Sequence, residues 1–375
     1  MVGSRSQLAK HRSVRRTIVL AAVLGLLASG CAVGATWTPQ AVEPALPASP
    51  DRIALSDVAC PADGACVAVG RRTTTVGETL VLRQSGSTWE VLAAPFQLLG
   101  LQPEVTCRGI DDCMVVGTPL DLHVGAGGVT VVPPAPGTPE PWVRGTMSCV
   151  AAGCLRVTGL TSSWWNGTTW STPATVPSSV LREGQVLSCT SATHCLLVGN
   201  DFGIEGWPTP GAVNSSVWNG TSWSAPVAVP GPTRVLDLAC ASPTSCFASA
   251  GVRADYWTPI IPNLPGPDVL RWNGSAWSVA PVSFSGAAPT EPPSVACASA
   301  TSCKALWVAG ESAPPSPSYI GTWNGTSWTA TATTAAATAI SLGCASATSC
   351  VSVGGPTAQR LSGTSWTSML IPAGT

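Results

Sequence analysis

Lysine is almost missing from this chain. Its 375 residues include two, Lys10 and Lys304, and three histidines, His11, His123 and His194. Charged residues make up only 10%, and tyrosine occurs twice. So little positive charge excludes a nucleic-acid partner, because such affinity comes mainly from neutralising phosphates with Lys and Arg. Three scattered histidines leave nothing from which to build a His-based metal centre or catalytic cluster. No Ser/His/Asp arrangement, Gly-rich phosphate loop or zinc motif occurs, so no cofactor and no metal are expected. Beyond the N-terminal segment no stretch joins a helical apolar period to caps; residues 329–339 are Ala/Thr-rich but uncapped.

Cysteine, tryptophan, glycine and proline are plentiful, at 15, 16, 38 and 34. Fifteen is odd, so at least one cysteine stands outside any set of disulfides. Residues 1–16 carry Arg5, Lys10, Arg12, Arg15 and Arg16 and no acid. The apolar run that follows, from Ile18 to Ala28, is shorter than the roughly 20 residues a membrane span needs, and reads as a secretory signal peptide. It ends in Leu27-Ala28-Ser29-Gly30-Cys31, which resembles the lipobox of bacterial lipoproteins, with Ala28 where Leu is commoner. The resemblance implies removal of residues 1–30, lipidation of Cys31, and a partner in the membrane: the outer face of the bacterial cytoplasmic membrane. The alternative is an ordinary secretory peptide and a secreted protein. Arg15-Arg16 also resembles a twin-arginine signal. The mature chain keeps 13 basic and 19 acidic side chains, a net charge of about −6. Residues 31–50, with Pro39, Pro44, Pro47 and Pro50, read as a tether. Within it Thr36-Trp37-Thr38-Pro39 resembles later strand ends and is alternatively a stray strand.

The other fourteen cysteines form seven close pairs: Cys60/Cys66, Cys107/Cys113, Cys149/Cys154, Cys189/Cys195, Cys240/Cys246, Cys297/Cys303 and Cys344/Cys350. Six are C-x5-C and the third is one residue shorter. The second cysteine opens an apolar run that often ends in Gly, as in Val67-Ala68-Val69-Gly70 and Leu196-Leu197-Val198-Gly199. Four repeats then carry a Trp-Asn-Gly-x-x-Trp motif, beginning at Trp165, Trp218, Trp272 and Trp323; repeats one and seven keep a reduced form ending in Trp89 and Trp366. Asn-Gly predicts a tight hairpin in which both residues are central and have positive φ. Each repeat therefore reads as four short strands, with the fourth starting at the second Trp. Four strands in roughly 47 residues is the size of a propeller blade.

The prediction is an all-β protein: residues 51–375 as a seven-bladed β-propeller of four-stranded antiparallel blades, each with a disulfide across the hairpin of strands one and two. A β-solenoid or tandem small domains are the alternatives, and irregular repeat spacing disfavours the solenoid. The repeat resembles kelch-type β-propellers, of the galactose-oxidase central-domain kind, in its apolar strand ending in Gly and its Trp at the last strand. It is also similar to the Asp-box, without the Asp. No activity is carried over. Metal binding by the cysteine pairs is the competing reading, but pairs on different blades do not converge on one ion.

Before the first cysteine the positions recur. Two before it stands Val58, Val105, Met147, Leu187, Leu238, Val295 or Leu342, and one before it a small residue. A large residue facing a small one suits the crowded axis, so the first strand is expected innermost. The Trp pairs are read as inter-blade packing rather than carbohydrate stacking. Three positions before the cysteine stand Asp57, Glu104, Thr146, Val186, Asp237, Ser294 and Ser341, which would ring the mouth of the central channel. On the same face two long connections, residues 200–216 and 252–269, carry Trp207 and Asp255, Tyr256 and Trp257. Loops on a rigid scaffold are where function concentrates. That face, with Trp207, Asp255, Tyr256, Trp257, Asp57, Glu104 and Asp237, is the expected binding face for a glycan or envelope protein, without catalysis. The alternatives are a glycosidase-like propeller using ring carboxylates and a structural envelope protein without ligand.

Overall fold

An apolar residue, a small residue and a cysteine in succession make the inner strand of every blade. The computed structural model describes residues 53–72, 78–92, 103–117, 120–137, 145–180, 185–199, 213–230, 234–251, 268–289, 292–308, 317–335, 339–363 and 365–371. The chain divides into two units, Met1–Ala45 and Leu46–Thr375, and the described residues all belong to the second. The expected signal peptide, Cys31 and the tether lie outside them.

The described residues form seven sheets, each built around four consecutive antiparallel strands. The first strands are Ile53–Ala62, Glu104–Gly109, Gly145–Val150, Val186–Ser191, Val235–Ser242, Ser294–Ser299 and Ser341–Cys344. Each touches the first strand of the blade before and the blade after, and the last touches the first. The ring is therefore closed, with the first strands innermost. Among the described residues no strand is exchanged at the closure: the first sheet is built from Ile53–Leu92 and the seventh from Ser341–Met369.

All seven cysteine pairs are disulfides across the first hairpin: Cys60–Cys66, Cys107–Cys113, Cys149–Cys154, Cys189–Cys195, Cys240–Cys246, Cys297–Cys303 and Cys344–Cys350. Closing so short a loop stabilises by roughly 2 kcal/mol each on the chain-entropy model. Such a set points to an oxidising, extracytoplasmic environment. The two halves of each bridge are not equivalent, which the spacing alone does not tell. The second cysteine stands on the second strand and is buried: Cys66, Cys113, Cys154, Cys195, Cys246, Cys303 and Cys350 all belong to the core between blades. The first cysteine stands on the inner strand, and all but Cys189 keep some exposure. These fourteen residues are therefore packing and cross-link, and no part of an exposed site. With both sulfurs of each pair bonded to each other, none is left as a thiolate to hold a metal.

The shorter third spacing has a structural cause. In blades two, four, five and six the ladder slips by one residue just past the first cysteine. Blade three keeps Cys149 opposite Cys154 and Val150 opposite Gly153 without a slip. The missing residue is the one a β-bulge would hold.

The second strand is buried on both faces, which is why it reads as a continuous apolar run: Val67, Ala68 and Val69 are fully buried, as are Leu196, Leu197 and Val198. Its terminal glycine is required by close approach. A Cβ on Gly70 would lie 2.3 Å from the Ala54 carbonyl oxygen, and one on Gly199 would collide with the Val180 carbonyl.

The Asn-Gly turn differs from expectation by one residue. Asn219 N–H donates to the Ser222 carbonyl, so the central pair is Gly220-Thr221, with Gly220 at φ 101°. Asn219 instead uses its side-chain oxygen to accept the amides of Thr221 and Ser222, both at 2.9 Å. The motif at Asn166, Asn273 and Asn324 is built the same way. An Asx-turn lets asparagine stabilise the turn without entering the left-handed region itself.

The fourth strand also departs from the repeat. In blades three and four the second Trp makes only an isolated bridge, Trp165 to Trp170 and Trp218 to Trp223. Pairing resumes at Ala174–Thr175 and Val227–Ala228. Pro173 and Pro226, which lack an N–H to donate, stand at the interruption. Blade six gains a fifth strand: Val282–Phe284, following blade five, runs parallel to Trp328–Thr333. Phe284 anchors it edge-on to Trp307 and Tyr319, at 5.1 and 5.3 Å.

Candidate functional site

The two ends of the ring are built differently. At one end the disulfide hairpin and the Asn-Gly turn of the same blade pack together. A Cβ on Gly220 would lie 2.9 Å from Thr193, and one on Gly274 2.8 Å from Thr244. The two tryptophans bracketing each turn stack obliquely, with centroids 5.1 to 5.7 Å apart in blades three to six. The second one reaches back across the seam. Trp170 Nε1 donates to the Pro133 carbonyl, Trp223 Nε1 to Ser162 Oγ and Trp277 Nε1 to Ser215 Oγ. These tryptophans are inter-blade packing, as expected. His194 lies in this end, where burial lowers its pKa. His123 approaches Asp112 at 3.2 Å, and Asp112 also pairs with Arg108 at 2.6 Å.

The first strands begin at the opposite end, and so do the connections between second and third strands. Each inner strand is a sheet edge, with amide donors that no strand of its own blade can take. The preceding blade supplies the acceptors. In three seams the residue before the cysteine does so: Thr106 Oγ1 accepts from Cys149 N, Ser148 Oγ from Cys189 N and Ser188 Oγ from Cys240 N, at 2.9 to 3.0 Å. In the other four that position is Ala59, Ala239, Ala296 or Gly343, which offer no side-chain acceptor. There the residue three before the cysteine acts. Asp57 Oδ2 accepts from Val105 N at 2.7 Å and Asp237 Oδ2 from Val295 N at 2.8 Å. Ser294 Oγ accepts from Leu342 N at 3.1 Å and Ser341 Oγ from Val58 N at 3.3 Å. Every seam thus carries one such bond, from one position or the other.

The ring acids consequently have partners. Asp57 also accepts from Ser341 Oγ, at 2.6 Å, and from Val58 N; Asp237 also accepts from Ser294 Oγ and Leu238 N, both at 2.8 Å. Asp57 keeps some accessible surface, yet burial is the largest influence on it and, with the charge of Asp237, pushes its pKa up to about 6 against the pull of Ser341 and the Val105 and Val58 amides. Glu104, half-buried, stands on the next inner strand. Trp207, Asp255, Tyr256 and Trp257 lie outside the described residues. The second connection leaves just beyond Ser249, which is paired with Asp237.

One charged pair on this end was not anticipated. Arg156 Nε lies 2.6 Å from Asp121 Oδ2, and Arg156 Nη2 donates to Asp121 Oδ1 at 3.2 Å, across the seam of blades two and three. Both are buried, and burial raises the Asp121 pKa against the pull of Arg156. Arg156 also donates to Thr158. The repeat held the signal: the positions equivalent to Arg156 are Ala68, Val115, Leu197, Ala248, Ala305 and Ser352.

Among the described residues no group of three or more His, Cys, Asp or Glu is placed to hold a metal ion. No protein-family model matches the chain, and no curated protein matches it in sequence. Solved structures do. YCF48 from Cyanidioschyzon merolae superposes with a TM-score of 0.54 at 14% identity, over 83% of this chain and 96% of that one. YCF48 bound to D1 peptide gives 0.52 at 12%, over 83% and 94%. The GH74 xyloglucanase from Xanthomonas campestris gives 0.53 at 13%, over 84% of this chain and 54% of that one. At such identities the likeness establishes one thing, the β-propeller fold.

Proposed function

We propose that this chain is an exported lipoprotein, anchored through Cys31, whose propeller binds a glycan or an envelope protein without catalysis. The disulfides are consistent with export, and the Leu27–Cys31 motif supports the lipid. The observation that carries the non-catalytic reading is the occupation of the ring carboxylates. A glycosidase needs one carboxyl free to give a proton and another to attack or activate water. Both oxygens of Asp57 and of Asp237 are instead engaged by neighbouring amides and hydroxyls.

The ligand face in this reading is the end where the first strands begin. Asp57 and Asp237 shape its mouth, Glu104 stands beside them, and Trp207, Asp255, Tyr256 and Trp257 supply the contacts. That one relative by fold is described as bound to a peptide and another as a xyloglucanase makes peptides and glycans the classes to test. The test is a binding array of glycans, peptidoglycan fragments and peptides. Binding that weakens at least tenfold in Trp207→Ala or Trp257→Ala supports the assignment. Binding unchanged by both, or turnover of a bound glycan, overturns it.

A further inference from the structure

Blades three to six carry the same turn with an exposed asparagine, at Asn166, Asn219, Asn273 and Asn324. Each sets a side-chain amide beside the backbone nitrogen of a glycine, which has no side chain to shield it. Each also surrounds the asparagine Oδ1 with donors. At Asn273 these are Ser275 N at 3.0 Å, Ser275 Oγ at 3.1 Å and Ala276 N at 2.9 Å. Donors fixed on that oxygen stabilise the negative charge it gains when a nucleophile adds to the amide carbon. The turn therefore favours attack by the glycine nitrogen on the side chain that precedes it.

The four turns differ at the other end of the amide. Asn166 Nδ2 donates to Thr169 Oγ1 at 3.2 Å, Asn219 Nδ2 to Ser222 Oγ at 3.1 Å and Asn324 Nδ2 to Ser327 Oγ at 3.4 Å. In blade five the matching residue is Ala276, which has no hydroxyl, and Asn273 Nδ2 has no acceptor among the described residues. Three amides are held at both ends and the fourth at its oxygen alone. A departing nitrogen must first give up any hydroxyl it is bonded to, so that bond adds to the barrier.

We propose that Asn273 is a self-modification site, at which the folded chain deamidates ahead of its three counterparts. Gly274 N gives its proton to hydroxide and bonds to Asn273 Cγ. The Cγ–Nδ2 bond then breaks, and Nδ2 leaves as ammonia with a proton taken from water, which restores the hydroxide. The product is a cyclic imide. Water opens it at either carbonyl and gives aspartate or isoaspartate. In sum water is taken up and ammonia released, and nothing is oxidised or reduced. Isoaspartate puts an extra methylene into the main chain between Trp272 and Trp277, which pair across the turn and stack at 5.5 Å. Trp277 is also the residue that donates to Ser215 of blade four.

Peptide mapping by mass spectrometry of the folded full-length protein, incubated at mildly alkaline pH, reads all four sites in one sample. Asn273 should convert about two- to tenfold faster than the other three, the range to which the net worth of one hydrogen bond corresponds. Ala276→Ser supplies the missing hydroxyl and should slow Asn273 to the rate of the others. Ser222→Ala removes one and should bring Asn219 up to the rate of Asn273. Both positions are exposed, so neither change burdens the fold. In the reduced chain unfolded in urea the four rates should converge. Looseness of the turn predicts a different order. A Cβ on Gly325 would lie 3.4 Å from Thr301, against 2.8 Å for one on Gly274 from Thr244, so a rate set by packing puts Asn324 first. Asn324 ahead of Asn273, an unchanged Asn273 rate in Ala276→Ser, or a lead of Asn273 that persists in urea overturns the proposal.

Discussion

The indole N–H of Trp277 donates to Ser215 Oγ of the preceding blade at 2.8 Å. In the next blade Trp328 occupies the same place, but the residue facing it there is Val269, and its Nε1 has no hydrogen-bond partner among the described residues. The two tryptophans thus differ in one bond. Trp277→Phe and Trp328→Phe lose similar volume, so their costs should differ by about 1 kcal/mol, the net worth of one hydrogen bond. Paired urea melts check it; equal costs would mean the bond contributes nothing.

The alternation of seam acceptors gives a rescue experiment. Ser188→Ala leaves the Cys240 amide without its acceptor and should cost about 1–3 kcal/mol. Two positions earlier stands Val186, where blades one and five carry Asp57 and Asp237. Adding Val186→Asp to Ser188→Ala should recover part of the loss by moving the seam to the other mode. Additive destabilisation in chemical denaturation would show that the two positions are not interchangeable.

Asp57 gives the stability a pH dependence with a definite sign. Its pKa is about 6 when folded, against an ordinary value of 3.8. Between those values the folded protein holds a proton that the unfolded chain has lost. The contribution is greatest below about pH 4, falls as pH rises to about 6 and is level above. The conversion of about 1.4 kcal/mol per decade gives at most about 3 kcal/mol. From pH 4 to 7 the melting temperature of the wild type should fall relative to that of Asp57→Asn, which has no charge to bury; parallel curves would remove Asp57 as the source.

Gly220 is a turn position poorly able to accept a side chain. Its φ is 101° and an added Cβ would lie 2.9 Å from Thr193. Gly220→Ala should cost about 1 kcal/mol or more. Gly109 has an open surrounding, and Gly109→Ala should be close to neutral. Thermal melts of the pair provide the comparison.

Cys31→Ser should release the protein from the membrane fraction into the soluble one without changing its seven disulfides. Fractionation and a mass measurement with and without reductant test both halves. A protein that is soluble before the substitution would exclude the lipid anchor.

The blade count, the four-strand unit and the pairing of cysteines were legible because each rests on local spacing that recurs seven times. Less was legible where one residue changes the outcome. Asn-Gly predicts a turn but not which residues are central; the Asn166 and Asn219 side chains decide that by binding amides ahead of them. Pro173 and Pro226 were visible, but their interruption of the fourth strand depends on where the ladder needs a donor. The ring acids were legible as a ring and not as seam acceptors, since that role depends on where the neighbouring inner strand aims its amides.

The sequence by itself determined the repeat, its disulfides and the packing role of the paired tryptophans, because identical short-range constraints act in each blade. Only the tertiary structure decided which blades touch at the closure, that Asp57 commits its oxygens to Val105, Val58 and Ser341, and that Arg156 meets Asp121. Asp57 and Ser341 are 284 positions apart in the chain. Their contact depends on the summed rotation of seven blades, and no local pattern carries that sum.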